Sequence, residues 1–267
     1  MKLLNGRELA GFIKERQAHV VRSMLDEGAS APKLVIIRDS DNPVITKYVD
    51  LKARYGADIE VEVVDKKVSD IEGAKAAVLA ANEDPSVSGI IVQLPLVDVS
   101  RTDEVVNLIA PEKDVDGLSQ VVSDTERKFE SATATAIHWL LSGYDIDLSN
   151  KKIALVGHGR LVGAPLERMW KASGFDVTIF DHKSDLSQLR NFDVIVSATG
   201  VPHLITSAMV RGGAVVVDAG TASEDGVLVG DVDDAVRERT DIAAITPVSG
   251  GVGPLTVAVL FEHVISA

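Results

Sequence analysis

Short runs rich in Val and Ile alternate with helix-patterned stretches almost from one end of this chain to the other. Nothing else in the sequence restricts the fold as much. Lys33–Ile37, Ile59–Val64 and Gly89–Leu94 read as strands, the second with the period-two alternation of a half-buried one. Asn5 and Glu8 open a helical stripe of Leu9, Phe12, Ile13, Val21, Met24 and Leu25, and a later helix carries Tyr48, Lys52 and Tyr55. Ser69-Asp-Ile-Glu72 has the form of a capping box before an Ala-rich helix that stops ahead of Pro85. A second series begins near residue 150, with strands at Lys152–Val156, Asp176–Phe180, Asp193–Val196 and Ala214–Asp218 and a short one near Ala243. A helix over Ala164–Ser173 and an apolar-faced helix over Thr256–Ile265 belong to it. Strands separated by helices are joined by right-handed crossovers, so the sheets are parallel. The predicted fold class is α/β: two α/β domains with parallel sheets, the second a Rossmann-like dinucleotide-binding domain.

The length of 267 residues suits two domains of ordinary size. A net charge of −13 argues against nucleic acid or an anionic membrane as the partner, since both require a basic footprint. The chain has no cysteine, which removes disulfides, thiolate nucleophiles and Cys-ligated metals. His19, His138, His203 and His263 have no metal-ligand spacing, so no metal is expected. Trp139 and Trp170 fall on helical patterns as core residues. The first residues turn charged by Arg7 and Glu8, unlike a signal peptide, and no run approaches the roughly 18 apolar residues of a membrane span. Cytoplasmic residence is the default expectation.

Gly157-His-Gly159-Arg-Leu-Val-Gly163 lies between a predicted strand and a predicted helix. There Gly157 allows a tight turn, Gly159 lets backbone approach a pyrophosphate, and Gly163 permits close helix packing. The helix N-terminus adds free N–H groups and the positive end of its dipole. His158, Arg160 and Leu161 share the turn. Asp181, just past the next strand, suits the ribose of NAD and would repel the extra phosphate of NADP, whereas His182 and Lys183 could receive that phosphate. Thr199-Gly200 and Gly220 follow later strands, where backbone passes near the ribose or nicotinamide. The cofactor is NADP or NAD, with Asp181 favouring NAD.

The first half is polar at scattered points. Tyr48 and Lys52 share a helix face, Gln93 interrupts an apolar strand, and Lys113-Asp-Val-Asp116-Gly117 sets two carboxylates beside a glycine turn. Tyr48-Val-Asp-Leu-Lys52, Gln93-Leu-Pro-Leu96, Lys113-Asp-Val-Asp-Gly117, Val162-Gly-Ala-Pro165 and Thr246-Pro-Val-Ser-Gly-Gly-Val-Gly-Pro-Leu-Thr256 occur in that order. Together they resemble the bifunctional methylenetetrahydrofolate dehydrogenase/methenyltetrahydrofolate cyclohydrolase family, across essentially the whole chain.

The resemblance implies oxidation of 5,10-methylenetetrahydrofolate to the methenyl form with NAD(P), then hydrolysis to 10-formyltetrahydrofolate. It assigns proton transfer to Lys52, tuned by Gln93. It places Tyr48 against the folate, Asp116 on the polar edge of the pterin, and Gly250, Gly251, Gly253 and Pro254 beside the substrate. Residues 1–125 with 252–267 would form a discontinuous folate-binding catalytic domain and residues 126–251 the NAD(P)-binding domain, with a cleft between them. A homodimer through the second domain is also expected.

Some positions depart from the family pattern. Ile45 stands where a Ser is usual, and His158 where an Arg often helps hold an NADP phosphate. Leu118-Ser-Gln120 and Ser131-Ala-Thr-Ala-Thr-Ala136 replace longer motifs, and TPVPGG has become TPVSGG. Three other readings stay open on the sequence: a shikimate-dehydrogenase-like enzyme of the same architecture, a monofunctional dehydrogenase, and a folate- or dinucleotide-binding protein without turnover.

Overall fold

A computed structural model describes residues 1–267 except Asp124, Asp225, Gly226 and the side chains of residues 222–228. In chain order its elements begin β1 (Lys2–Leu3), α1 (Gly6–Asp26), β2 (Lys33–Arg38), α2 (Pro43–Asp58), β3 (Glu62–Lys67), α3 (Ile71–Glu83), β4 (Gly89–Val92), α4 (Thr102–Val106) and α5 (Ala132–Gly143). They continue β5 (Lys152–Val156), α6 (Gly163–Ala172), β6 (Asp176–Phe180), β7 (Val194–Ser197), β8 (Val215–Asp218), β9 (Ala222–Glu224), β10 (Val227–Val229), α7 (Asp234–Arg237), β11 (Ala244–Ile245) and α8 (Val252–Ile265). Among the described residues no helix is long and apolar enough to cross a membrane.

The chain divides into two compact units, Gly11–Ala132 with Val257–Ala267, and Met1–Ala10 with Thr133–Thr256. Met1–Ala10, expected with the first, groups with the second because Lys2 and Leu3 pair with Ala244 and Ile245 as an edge strand.

The first unit is built on a three-stranded parallel sheet of order β3-β2-β4. The central strand β2 is buried on both faces, as a run of Leu, Val and Ile must be. Ile37, Ile71, Val78, Ile90 and Val105 form its core with α3 and α4. Two local expectations shift. The strand over Ile59–Val64 starts three residues late, because α2 runs on to Asp58 and Glu60 turns the chain at φ +63°. Ile59 and Val61 are buried at that turn, so their alternation reflects a helix end as well as a strand. The capping box does not close: Asp70, not Ser69, accepts from Gly73 N, and Glu72 pairs with Arg101 and Lys75.

The second unit is a six-stranded parallel sheet of order β1-β11-β8-β7-β5-β6. From β5 the chain steps outward to β6, then returns to the other side of β5 as β7. The loops leaving β5 and β7 therefore diverge at a topological switch point, where open parallel sheets bind ligands beyond the carboxyl ends of their strands. Phe180, Ile195, Val216 and Ile245 belong to the core on this sheet, and Trp170 is fully buried.

Candidate active site

Tyr48 and Lys52 lie one turn apart on α2. Its start is set by Asn42, whose side chain accepts from Val44 N, and by Pro43 in the first turn. Ile45 and Val49 are buried, whereas Tyr48 is exposed and Lys52 half-buried. Gln93 follows β4, its own N–H donating to Ile37 O at 2.8 Å, so the sheet fixes its position. Lys52 Nζ donates to Gln93 Oε1 at 2.7 Å, and Gln93 Nε2 donates to Leu94 O at 3.1 Å. The Gln that follows the apolar strand thus has partners for both ends of its amide, and one of them is the lysine.

The Lys113–Gly117 loop divides its charges. Lys113 donates to the carbonyls of Ala81, Asn82 and Asp84 at 2.7–3.0 Å and so closes the end of α3. Asp114 accepts from the N–H groups of Gly117, Leu118 and Ser119 at 2.9–3.3 Å and holds the turn. Gly117 sits at φ +66°, and a Cβ there would meet Glu130 backbone at 2.5 Å, so only glycine fits. Asp116 is the remaining carboxylate. Burial pushes its pKa up to about 6 against the opposing pull of Lys52, with Asp114 adding to the rise. Burial lowers the Lys52 pKa, and Asp116 resists that fall. Burial thus draws both the lysine and the carboxylate toward their neutral forms.

His263, which has no metal-ligand spacing in the sequence, is a structural residue: it stacks on Phe129 at 4.7 Å and bonds through Nδ1 to Val115 O at 2.8 Å. It therefore braces the residue before Asp116 from α8, a role visible only once α8 is folded onto the loop.

In the second unit the glycine turn leaves β5. Gly157 has φ +93°, and its Cβ would stand 2.7 Å from Ala198 O; a Cβ at Gly163 would stand 2.1 Å from Gly157 O. Both must be glycine for the turn to close. At Gly159 a Cβ would meet nothing within 4 Å, so the protein itself does not demand glycine there. The first residues of α6 have no side-chain cap from Val162. A helix start without a side-chain cap, beside an open glycine, is a cradle that suits a pyrophosphate.

His158 is engaged with Glu167 at 2.7 Å, and Glu167 also takes Lys171. Arg160 and Leu161 complete the turn. Asp181 lies exposed after β6 and accepts through Oδ1 from Lys183 N and Ser184 Oγ, both at 2.9 Å, which hold it ionised; His182 is exposed beside it. Thr199 and Gly200 follow β7, and Gly220 follows β8. Gly250 has φ +91° and its carbonyl accepts from Arg7 N at 2.9 Å; Gly251 is buried and Pro254 lies in the first turn of α8. Among the described residues no cluster of His, Asp and Glu could hold a metal ion.

A two-unit α/β chain with a nucleotide-type glycine turn on one parallel sheet and a Lys–Gln–Asp group on the other has the build of a dinucleotide-dependent enzyme. Residues 4–116 match the family model for the tetrahydrofolate dehydrogenase/cyclohydrolase catalytic domain, and residues 131–267 match that family's NAD(P)-binding domain. The chain belongs to the tetrahydrofolate dehydrogenase/cyclohydrolase family. It is 38% identical to a bifunctional protein FolD of Lactobacillus delbrueckii subsp. bulgaricus over 99% of this chain and 96% of that one. The crystal structure of the bifunctional FolD methylenetetrahydrofolate dehydrogenase/cyclohydrolase of Campylobacter jejuni superposes with a TM-score of 0.92 at 34% identity, covering 100% of this chain and 98% of that one. A Trypanosoma brucei enzyme of the same name, solved with NADP and an inhibitor, gives 0.90 at 29% identity over 99% and 96%.

Proposed function

We propose that Lys52, Gln93 and Asp116 carry the chemistry by which this enzyme oxidises 5,10-methylenetetrahydrofolate and hydrolyses the methenyl product to 10-formyltetrahydrofolate. The observation that supports this most is the 2.7 Å bond from Lys52 Nζ to Gln93 Oε1, beside a carboxyl whose pKa is near 6.

In the hydrolytic step, water adds to the methenyl carbon and loses one proton; the C–N5 bond then opens as the second water proton passes to N5, leaving the formyl group on N10. Lys52, eased toward its neutral amine by burial, accepts the first proton, while Gln93 holds Nζ in place. Asp116 binds donor groups on the pterin edge, and Tyr48 covers the ring. Gly250, Gly251 and Pro254 line the substrate.

Gly157, Gly159, Gly163, His158, Arg160, Leu161, Thr199, Gly200 and Gly220 hold the dinucleotide, whose nicotinamide supplies the hydride acceptor. The ionised Asp181 favours NAD, and the engagement of His158 by Glu167 favours the same choice.

The test follows methenyl product and reduced dinucleotide with each cofactor, then hydrolysis of added methenyl substrate. Lys52→Ala is expected to cut hydrolysis at least about 100-fold; retained hydrolysis would remove Lys52 from the mechanism. Asp181→Ser is expected to raise the NADP/NAD preference at least tenfold, and no change would assign cofactor choice to other residues. A homodimer is the expected assembly, and a monomer by light scattering at micromolar concentration would refute it.

A further inference from the structure

Asp231, which no reading of the sequence singled out, is completely buried in the second unit. One oxygen, Oδ2, accepts both from Ser197 Oγ at 2.7 Å and from Thr199 N at 2.6 Å. These are the last residue of β7 and the loop residue two positions on, so a single carboxylate oxygen fixes the exit of the strand at the switch point. The other oxygen, Oδ1, is buried without a hydrogen-bond partner among the described residues. It points at Gly220, where a Cβ would stand only 1.9 Å away. Gly220 is therefore a glycine because Asp231 occupies the space a side chain would need.

The neighbouring Asp218 is treated differently. It accepts from the N–H groups of Gly220, Asp231 and Val232 at 3.0–3.1 Å and pairs with Arg237 at 2.6 Å. Asp218 carries its own cation and so braces the β8 exit as a satisfied unit. None of the salt bridges among the described residues includes Asp231. Burying a carboxylate with one oxygen unsatisfied costs stability, and a fold that only needed packing there would fill the space with an apolar side chain. What Asp231 does that an apolar residue cannot is hold Ser197 and Thr199 from behind.

We infer that Asp231 is a positioning residue for the dinucleotide: through Ser197 Oγ and Thr199 N it sets the Ser197–Gly200 loop in the conformation that receives the cofactor. It touches neither substrate nor cofactor. The inference rests on the assignment of Thr199 and Gly200 to the dinucleotide site made above.

The test is calorimetric titration of dinucleotide onto the purified full-length protein, alongside hydrolysis of methenyl substrate without dinucleotide. Asp231→Ala removes the shared acceptor and is expected to raise the dinucleotide Kd at least tenfold, while hydrolysis falls less than threefold. Asp231→Asn keeps one oxygen able to accept both bonds and is expected to stay within about threefold of wild type. Ser197→Ala, which removes one of the two donors, should fall between them and supplies the measurement if Asp231→Ala does not fold. An unchanged Kd in both alanine variants, or equal loss of binding and hydrolysis, would overturn the inference. Wild-type protein that binds neither NAD nor NADP would instead remove the cofactor assignment on which it rests.

Discussion

Asp116 should be more expensive to the fold than its absence. Its pKa stands at about 6 in the folded chain against an ordinary 3.8, chiefly because burial disfavours the charged form. At about 1.4 kcal/mol per pKa unit, ionising it in the native state costs about 3 kcal/mol more than in the unfolded chain. Between pH 3.8 and about 6 the folded form binds the extra proton, so this contribution to stability falls as pH rises through that window and is fully lost above it. Asp116→Asn has the shape of the protonated acid and cannot ionise. It is therefore expected to be more stable than wild type at pH 8 by about 3 kcal/mol, or roughly 6–12 °C in Tm. At pH 4 the two proteins should nearly coincide. The same variant should lose most of both activities, since an uncharged amide no longer supports the charged form of Lys52. Paired urea and thermal unfolding of the two proteins at both pH values reads the effect, with Lys52 and Asp114 the titrating groups coupled to Asp116. An asparagine variant no more stable at pH 8, or a difference that does not change with pH, would refute the assignment of a desolvated carboxylate.

Three further outcomes follow from the same contacts. Gln93→Glu sets a negative charge against Lys52 Nζ, 2.7 Å away in the wild type; the Lys52 pKa should rise, moving the alkaline-rising limb of hydrolysis to higher pH by about one unit or more. A pH profile of kcat/KM that does not move would show that Lys52 is not the titrating base. Gly159→Ala meets open space and should unfold within about 0.5 kcal/mol of wild type, yet bind dinucleotide at least tenfold more weakly. Gly163→Ala forces a Cβ to 2.1 Å from Gly157 O and should cost about 1–3 kcal/mol of stability as well as binding, a contrast read by urea melts and calorimetry.

Periodicity revealed most of the parallel architecture, because burial of β2, β4, β5, β7 and β8 on both faces leaves unbroken apolar runs that chain-local reasoning can read. It failed where the partner was distant. Lys2 and Leu3 are a strand only because Ala244 and Ile245 lie beside them. At the site, Tyr48, Lys52, Gln93 and Asp116 were visible through their family motifs, but the division of labour within Lys113–Gly117 was not. Lys113, Asp114 and Asp116 are three charged residues in one short segment, and only the carbonyls around Lys113 and the N–H groups around Asp114 show which of them hold the turn. Asp231 was invisible for the same reason: it follows a hairpin in a polar stretch, and its burial comes from β7 and β8, more than ten residues away.

Leu118 and Ile45, two of the positions where this chain leaves its family's pattern, are buried frame residues, and contacts after Gly117 hold the turn that carries Asp116. Leu118 is buried with the first unit's core and anchors the exit of the turn. Arg127 then reaches back across the segment, donating to the carbonyls of Gly117, Ser119 and Val122 at 3.0–3.2 Å. Asp114 grips the N–H groups of the same turn from the other side. Ile45 is buried on α2 and so secures the helix that presents Lys52. Leu118 and Ile45 therefore hold the frame, while Lys52, Gln93 and Asp116 are retained. Because the Lys–Gln–Asp group and the glycine turn reside on separate sheets, damage to the Asp231 brace and damage to the Asp116 turn should separate cleanly, the first sparing hydrolysis and the second sparing dinucleotide binding.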